Sequence, residues 1–391
     1  MDQSTGSVKD KRVLWLTDTY DDHNGVSMVL QAMRREIMDR ELPVDFMVCS
    51  NTLKSGRNLI VLKPLSEFNI PLYRQQPMRI PNYLTIQRIF NKRKYDSVIC
   101  STEGPMGFAA LYLKKMYSVK TFFYLHTDWI MFARQVMGIE DTGIRRLQRA
   151  MRVYYNQFDC IFVLNSDQQK WLTGGFMRFK PERVLLTAHW AEDIFTERRI
   201  SLREPGFVAK REPVILFAGR ISREKGVFEL PSIFKKVRET IPGLKMLVAG
   251  TGPAENELKA VFPEAEYTGW IDHLELPAIY ASADLLLLPS KFDTFSCVVL
   301  EALSCGLPVI AYNTKGPKDI IQDSKNGFLV DTNEEMTDRI LEYFSNSSVH
   351  EAFRTSALLR ADDYTAGNIL QKLLEDIGIP TFKHSDGTET T

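Results

Sequence analysis

Short runs of apolar residues alternate with amphipathic stretches along most of the chain. The first apolar run, Arg12–Thr17, leads through the polar loop DTYDDHNGVS into a helical pattern over Met28–Arg40. A buried run of this length before a 3.6-residue period predicts a β-loop-α unit. Further buried strands are predicted in this half at Val44–Cys49, Ser97–Cys100, Thr121–Leu125, Cys160–Leu164 and Val184–Leu186.

The same pattern restarts after residues 196–213, a charged stretch with proline and glycine that shows no periodicity and predicts a linker. Strands that alternate with helices predict parallel, doubly wound sheets. The strands of the second half are predicted at Val214–Ala218, Lys245–Ala249, Glu266–Thr268, Leu285–Leu288, Pro308–Ala311 and Gly327–Val330.

The predicted fold is therefore α/β, with two Rossmann-like, doubly wound domains that face a central cleft. Residues 1–195 are predicted to form the N-terminal domain and residues 214–365 the C-terminal domain, joined by the linker at 196–213. Residues 366–378 are predicted to form a helix that packs back toward the N-terminal domain, and residues 379–391 a disordered tail. Ligands of open α/β sheets bind beyond the carboxyl ends of the strands, so the chemistry is expected in those loops.

The composition is that expected of a soluble protein with two hydrophobic cores. The chain has 391 residues, of which 44% are apolar, enough to fill two domains. No apolar stretch approaches the roughly 18 residues of a membrane span, and the polar start MDQSTGSVKDKR lacks the apolar core of a signal peptide, so a cytoplasmic location is expected. The five cysteines are scattered without a C-x-x-C pair, which favours reduced thiols over disulfides or metal ligands.

Charge is distributed unevenly although the formal net charge is zero. Residues 1–190 carry 27 basic and 18 acidic side chains, a balance of +9, which leaves −9 for the rest. Basic and apolar residues interleave over 78–94 and 143–155, a pattern typical of helices that rest on an anionic membrane surface. Solvated helix faces are the alternative, and nucleic-acid binding is not expected because no recognised module accompanies the charge.

The segment PSKFDTFSCVVLEALSCGLPVI carries the strongest chemical signal. Asp293 and Glu301 lie eight residues apart, so a helix over Thr294–Cys305 would place both carboxylates on nearly the same side. The start of that helix would offer backbone N–H groups to an anion. Those amides belong to Phe295, Ser296, Cys297 and Val298. A phosphate flanked by carboxylates that bind hydroxyls describes a sugar nucleotide; the alternative is a core helix capped by Asp293.

Two cations follow the first strand of the second half. Arg220 and Lys225 lie five residues apart on a turn that Gly219 and Gly226 permit. The planar guanidinium of Arg220 and the compact ammonium of Lys225 could bind a diphosphate. They would also stabilise its negative charge as it leaves. A solvated surface turn is the alternative. Further on, the loop Ala249-Gly-Thr-Gly-Pro253 contains Gly250 and Gly252, which could bring backbone close to a ligand.

In the first half, His126 follows the predicted strand Thr121–Leu125 and would place an imidazole at the carboxyl edge of a sheet. A structural histidine is the alternative. Gly25 in the first loop could likewise bring a backbone amide to the same edge.

Several motifs are missing from the sequence. It contains no Asp-x-Asp, no P-loop, no H-E-x-x-H and no G-x-S-x-G. A metal-independent reaction is therefore expected, in which cations and helix dipoles act on the diphosphate. An NAD-dependent dehydrogenase is disfavoured, because the first loop lacks G-x-G-x-x-G.

Taken together, these motifs resemble the retaining GT-B glycosyltransferases of family four. The resemblance runs from about Val13 to about Ile377, and rests on the loops named above with YASAD, Gly306-Leu-Pro308 and Gly327-Phe-Leu-Val330. Within that family, TDTYDDHNGVS and STEGPMGFAAL look most like lipid mannosyltransferases and sulfoquinovosyl or glucosyl diacylglycerol synthases.

The resemblance implies a role for each site residue. Arg220 and Lys225 would bind the donor diphosphate together with the amides of 295–298 and Gly25. Glu301 would hold the ribose hydroxyls, and Asp293 those of the transferred sugar. His126 would lie beside the reacting face of that sugar. No cofactor is implied beyond a UDP- or GDP-sugar donor.

The sequence departs from the family pattern at a few of these positions. The family usually has glutamate where this chain has Asp293, and glycine where it has Ser296. His189-Trp190 replaces the usual Asn-Gly, and Lys315 stands where a small residue is common.

The function expected from the sequence is transfer of a hexose from a UDP- or GDP-sugar to a lipid or glycan acceptor by a metal-independent, retaining glycosyltransferase. Two alternatives stay open at this point: a nucleotide-sugar 2-epimerase of the same fold, and an inactive glycosyltransferase-like scaffold.

Overall fold

A computed structural model describes residues 11–22, 24–70, 73–135, 137–197, 212–291 and 293–379. The predicted linker at 196–213 lies largely outside these residues, as does the predicted tail from residue 380 onward. By contacts the chain divides into two units, which are described separately. Unit 1 comprises Met1–Val163, Gln168–Thr187 and Leu370–Thr391; unit 2 comprises Leu164–Asp167 and Ala188–Ile369.

Unit 1 contains a seven-stranded parallel sheet in the order β3-β2-β1-β6-β7-β8-β9. Its strands are β1 (Val13–Thr17), β2 (Val44–Cys49), β3 (Leu59–Leu62), β6 (Ser97–Cys100), β7 (Lys120–Leu125), β8 (Cys160–Val163) and β9 (Val184–Leu186). A separate antiparallel hairpin joins β4 (Ser66–Ile70) to β5 (Tyr73–Ile80). The helices up to β9 are α1 (Gly25–Asp39), α2 (Tyr83–Arg93), α3 (Pro105–Tyr117), α4 (Trp129–Gln135), α5 (Asp141–Tyr155) and α6 (Ser166–Thr173).

Unit 2 contains a six-stranded parallel sheet in the order β12-β11-β10-β13-β14-β15. Its strands are β10 (Val214–Ala218), β11 (Lys245–Ala249), β12 (Glu266–Gly269), β13 (Leu285–Leu288), β14 (Val309–Tyr312) and β15 (Gly327–Val330). The remaining helices are α7 (Ile194–Glu197), α8 (Leu230–Thr240), α9 (Glu255–Val261), α10 (Leu276–Ser282), α11 (Cys297–Ser304), α12 (Lys315–Ile320), α13 (Asn333–Ser345), α14 (Ser347–Asp362) and α15 (Ala366–Ile377).

The central strands are buried on both faces, which explains their unbroken apolar sequences. Every residue of β1 and of β13 is buried, and the indole of Trp15 stacks on Phe46 of β2 at 5.0 Å between ring centroids. Because both faces are covered by helices, the strands need no polar side and show no alternation.

The order of the strands determines where the loops with the candidate site residues lie. In unit 1 the order reverses between β1 and β6, and in unit 2 between β10 and β13. Such a switch point leaves an opening beyond the carboxyl ends of the two strands, where ligands of this fold class bind. In unit 2 the switch point is flanked by the loop after β10, with Arg220 and Lys225, and the loop after β13, with Asp293.

Most predicted strands are found within one residue of their predicted bounds, and the α/β class is confirmed. Some features of local structure differ from the predictions. The basic stretch 78–94 is not one helix, since β5 continues to Ile80 and α2 begins only at Tyr83, after its cap Asn82. The hairpin of β4 and β5 was not predicted at all.

The domain bounds stay a prediction, although the contact-based division differs from them. It falls at Thr187/Ala188 rather than after residue 195, and α15 changes units at Leu370. Within unit 1, the ammonium of Lys11 donates to the carbonyl of Gly378 at 2.9 Å, just past the end of α15. None of the helices in the described part of the chain is both long and apolar enough to span a bilayer.

Candidate functional site

The loops after β10 and β13 are in direct contact. Lys225 ends a short 3-10 turn, Arg223–Lys225, and Gly226 follows with φ +69°. A Cβ at Gly226 would overlap the carbonyl oxygen of Pro289 at the end of β13, so only glycine lets the two loops approach this closely. This contact holds Lys225 beside the segment that contains Asp293.

Lys225 and Asp293 form an ion pair. The ammonium of Lys225 donates to Oδ1 of Asp293, whose side chain is 9% exposed. Burial by itself would lower the pKa of Lys225, but the carboxylate of Asp293 outweighs it and raises that pKa. Oδ2 of Asp293 is buried and has no hydrogen-bond partner within the described residues. Two predicted ligand-binding residues are therefore brought together, and one carboxylate oxygen has no hydrogen-bond partner among the described residues.

Helix α11 begins at Cys297, three residues later than predicted, because the backbone before it is engaged elsewhere. Ser296 has φ +71°, outside the helical region. The carbonyl of Asp293 accepts from the N–H of Gly316 at 3.0 Å, and that of Thr294 accepts from the amide of Asn165 at 2.5 Å. Asp293 therefore lies in the loop and is not the helix cap that the alternative interpretation required.

The first turn of α11 presents backbone N–H groups at the positive end of its dipole. Phe295 is buried, with its ring 5.1 Å from that of His189, and this anchors the loop. Cys297 and Val298 are half-buried. Burial raises the pKa of the Cys297 thiol to about 12, so the thiol is neutral and adds no negative charge to the site.

Glu301 lies one turn further along α11. Its carboxylate accepts a hydrogen bond from the hydroxyl of Tyr280 at 2.6 Å, which fixes its orientation. Burial raises the pKa of Glu301, while the bond from Tyr280 acts in the opposite direction. Glu301 and Asp293 thus come from one segment, but they occupy different environments.

Arg220 and the two loop glycines have simpler surroundings. Arg220 is exposed and forms no ion pair with any described residue. A Cβ at Gly250 would overlap the carbonyl of Gly219, and one at Gly252 would overlap that of Ile221. The structure therefore gives these two glycines a role in packing one loop against the other, and ligand contact by them stays a prediction.

His126 and Gly25 belong to unit 1. His126 directly follows β7, is 6% exposed and lies with its ring 4.3 Å from that of Tyr124. Burial lowers the pKa of His126 to about 3, so the imidazole is neutral near pH 7. Gly25 is the first residue of α1, where an added Cβ would meet only open space.

Two half-buried carboxyl groups at the switch point of unit 1 were missed. Oδ2 of Asp18 accepts from the hydroxyl of Thr102 at 2.6 Å, and Oδ1 accepts from the N–H of Met106 at 3.0 Å. Burial raises the pKa of Asp18 to about 6. Asp18 therefore ties the loop after β1 to the start of α3.

The second is Glu103, which accepts from the hydroxyl of Tyr155 on α5 at 2.7 Å. Burial raises the pKa of Glu103 to about 7, while the bond from Tyr155 opposes that rise. Both carboxyl groups lie in loops that carried the family resemblance. A single acidic residue in a loop is usually solvated, however, so the sequence alone did not single them out.

No group of three or more His, Cys, Asp or Glu side chains within the described residues is arranged to hold a metal ion.

Comparison with known proteins agrees with this geometry. Residues 23–186 match the model of "Glycosyltransferase Family 4", and residues 199–359 match that of "Glycosyl transferases group 1". Each match covers one of the two doubly wound halves, and the second includes Arg220, Lys225, Asp293 and Glu301.

Individual relatives are distant. The chain is similar to the sulfoquinovosyl transferase SQD2 of Arabidopsis thaliana, at 28% identity over 67% of this chain and 52% of the relative. It is also similar to a GDP-mannose-dependent alpha-mannosyltransferase of Corynebacterium glutamicum, at 28% identity over 48% of this chain and 46% of the relative. The chain thus spans about half the length of these relatives.

Among solved structures, HepE of Anabaena in complex with UDP superposes with a TM-score of 0.69 at 15% identity, covering 93% of this chain and 98% of that one. At this identity the likeness shows the fold alone. With both family models matched in order over most of its length, the chain belongs to the group 1, family-four glycosyltransferases and has the GT-B fold.

Proposed function

We propose that this protein is a retaining, metal-independent glycosyltransferase that moves a hexose from a UDP- or GDP-sugar to a lipid or glycan acceptor. The observation that carries the proposal is the Lys225–Asp293 pair at the amino end of α11. A cation, a helix N-terminus and a carboxylate with a free oxygen meet there, which suits a sugar joined to a diphosphate.

In this proposal each group acts on a different part of the donor. Lys225, Arg220 and the first amides of α11 bind the diphosphate and stabilise its charge as it leaves. Asp293 accepts hydrogen bonds from sugar hydroxyls, and Glu301 accepts them from the ribose. The bond from the anomeric carbon to phosphate breaks as the acceptor oxygen attacks the same face. The leaving phosphate oxygen takes the acceptor's proton, so no enzymic base is required.

The roles of His126 and Gly25 remain predictions. Because His126 is neutral near pH 7, its imidazole can serve as a hydrogen-bonding group there but not as a cation. The choice between UDP and GDP is left to experiment, since one relative is named for GDP-mannose and one fold neighbour was solved with UDP.

The central test is the double variant Arg220→Ala, Lys225→Ala. Transfer should fall by at least about 100-fold, because the charge on the departing diphosphate loses both cations. Arg223→Ala is the matched control, since Arg223 lies in the same turn but its exposed side chain pairs with Glu257 at 2.5 Å. Near-normal turnover in the double variant, with the fold intact, would refute the site assignment.

Two further measurements address the mechanism. Activity should survive prolonged treatment with EDTA, and loss that is restored by a divalent cation would contradict metal independence. The anomeric configuration of the product, determined by NMR, should equal that of the donor. Interconversion of the donor without any acceptor would support the 2-epimerase instead, although the family matches are to transferases and do not favour it.

We further propose that unit 1 binds an anionic membrane surface, because a lipid acceptor would lie in such a surface. Helices α2 and α3 are neighbours, since the hydroxyl of Tyr112 donates to Gln87 at 2.7 Å. Helices α3 and α5 are neighbours too, since the rings of Phe108 and Tyr154 lie 5.6 Å apart. Helix α3 thus contacts both α2 and α5, and we propose that the exposed residues of the three helices form one outer face.

That face, here called the basic-apolar face, combines exposed apolar side chains with arginines. Leu84, Phe108 and Val153 are 67%, 55% and 65% exposed. Its exposed basic side chains are Arg88, Lys92, Arg145, Arg146 and Arg149. Apolar groups that enter the headgroup region beside basic groups are typical of peripheral membrane contact.

Vesicle flotation tests this partner. The protein should float with vesicles of phosphatidylglycerol and phosphatidylcholine, and binding should weaken as salt rises. Arg145→Glu with Arg149→Glu should abolish flotation, whereas Lys235→Glu with Lys236→Glu, on exposed positions of α8, should not. Binding that is indifferent to salt and to both pairs of substitutions would contradict the proposal.

A further inference from the structure

Ser296 is held in an unfavourable state just before α11. Its backbone lies in the left-handed region at φ +71°, where a residue with a Cβ is less stable than glycine by about 1 kcal/mol. Its hydroxyl is buried, makes no capping hydrogen bond to the helix, and has no hydrogen-bond partner within the described residues. Burying an unpaired hydroxyl costs a further 1–3 kcal/mol or so.

Glycine at this position would avoid both costs. This chain nevertheless carries a serine there, and its hydroxyl makes no hydrogen bond that would stabilise the fold within the described residues. Strain and an unsatisfied polar atom at one residue are typical of a ligand contact that is completed on binding.

A second unpartnered atom indicates the kind of ligand. Oδ2 of Asp293, three residues before Ser296, is also buried and without a hydrogen-bond partner in the described part of the chain. A carboxylate can only accept hydrogen bonds, whereas a hydroxyl can donate one. The segment thus holds one free acceptor and one free donor, beside the ammonium of Lys225 and the positive end of α11.

We propose that Ser296 is a binding residue for the donor, whose hydroxyl donates a hydrogen bond to a diphosphate oxygen. Oδ2 of Asp293 then accepts from a hydroxyl of the attached sugar. This inference rests on the proposed function, since it assumes a sugar-diphosphate ligand at the amino end of α11. It adds a side-chain contact that glycine at this position could not make.

The variant Ser296→Gly separates binding from folding. Relief of backbone strain should leave the melting temperature unchanged or raise it, whereas loss of a hydrogen bond to a charged group should weaken binding about 10-fold. Calorimetric titration with UDP, GDP and inorganic pyrophosphate measures the affinity. All ligands that bind the wild type should lose a similar factor, because the contact is to the diphosphate.

Ser324→Gly is the matched control. Ser324 is an exposed serine of the same unit that also has a positive φ, +59°. The same substitution there should relieve strain without changing any affinity.

The outcomes are distinguishable. If the wild type binds none of the three ligands, the proposed function fails. If it binds them and Ser296→Gly binds equally well, only the role of Ser296 fails. A marked loss of stability in Ser296→Gly would show that the hydroxyl is structural, and this result would overturn the diphosphate contact.

Discussion

Asp293 has a double function in the proposed site, because one of its oxygens pairs with Lys225 and the other has no hydrogen-bond partner among the described residues. The short aspartate side chain reaches the ammonium of Lys225 within a buried loop. A donor diphosphate would compete with Asp293 for that ammonium.

The variant Asp293→Asn should therefore separate transfer from nucleotide binding. Transfer should fall about 100-fold or more, because the sugar loses a charged hydrogen-bond acceptor in the transition state. Binding of UDP or GDP should be at least as tight as in the wild type, since Lys225 no longer has an internal counterion. Calorimetry and a coupled transfer assay measure the two effects. Loss of nucleotide binding in this variant would show that Asp293 supports the loop rather than the sugar.

Glu103 predicts a pH-dependent effect on stability. Its folded pKa of about 7 lies above the ordinary 4.5, so its contribution to stability is fully present below about pH 4.5 and is lost as pH rises through 7. Glu103→Gln keeps an oxygen for Tyr155 but does not ionise. The variant should match the wild type near pH 5 and exceed its free energy of unfolding by up to about 3 kcal/mol near pH 8.

Urea unfolding at the two pH values measures this difference. Glu182→Gln, on an exposed carboxylate of the same unit, is the control and should show no such trend. Equal effects of Glu103→Gln at both pH values would mean that Glu103 titrates normally in the folded state.

At the scale of elements, the site depends on the close approach of two loops at Gly226. Gly226→Ala should destabilise the fold by about 2 kcal/mol or more, because a Cβ is strained at φ +69° and overlaps the carbonyl of Pro289. Displacement of Lys225 should also weaken nucleotide binding. Chemical denaturation and calorimetry measure the two effects.

Gly269→Ala separates strain from overlap. Gly269 has φ +71° in the same unit, but an added Cβ there meets nothing within 4 Å. This variant should lose the smaller amount due to strain and keep its affinity. If both variants lose stability equally, the contact between the loops is looser than the structure indicates.

Elements with a clear pattern in their own sequence were predicted, whereas features without such a pattern, or that depend on contacts with residues distant in the sequence, were not. Strands such as β10 and β13 were placed correctly because their apolar runs are continuous and bounded by charged or turn residues. The β4–β5 hairpin was missed because its sequence, SEFNI and YRQQPMRI, is largely polar and resembles a loop. The late start of α11 depends on Gly316 and Asn165, which lie far away in the sequence and engage the carbonyls before it.

For the molecule as a whole, donor binding should stabilise the fold. A ligand that binds only the folded state at about 100 times its Kd adds about 2.7 kcal/mol, so the melting temperature should rise by several degrees. Screening UDP-, GDP- and ADP-sugars by thermal shift would identify the base from the largest rise. If no nucleotide sugar shifts the melting temperature and calorimetry detects no binding either, the proposed function is wrong.

The sequence by itself determined the α/β class and the two doubly wound halves, and it singled out the charged residues that we propose to bind a diphosphate, because apolar periodicity and short loop motifs are local properties. Only the tertiary structure decided which of those residues touch. It paired Lys225 with Asp293, left Ser296 strained with a hydroxyl that has no partner among the described residues, and half-buried Asp18 and Glu103. Burial and pairing depend on side chains that distant strands bring to one edge of a sheet, and no local pattern records them.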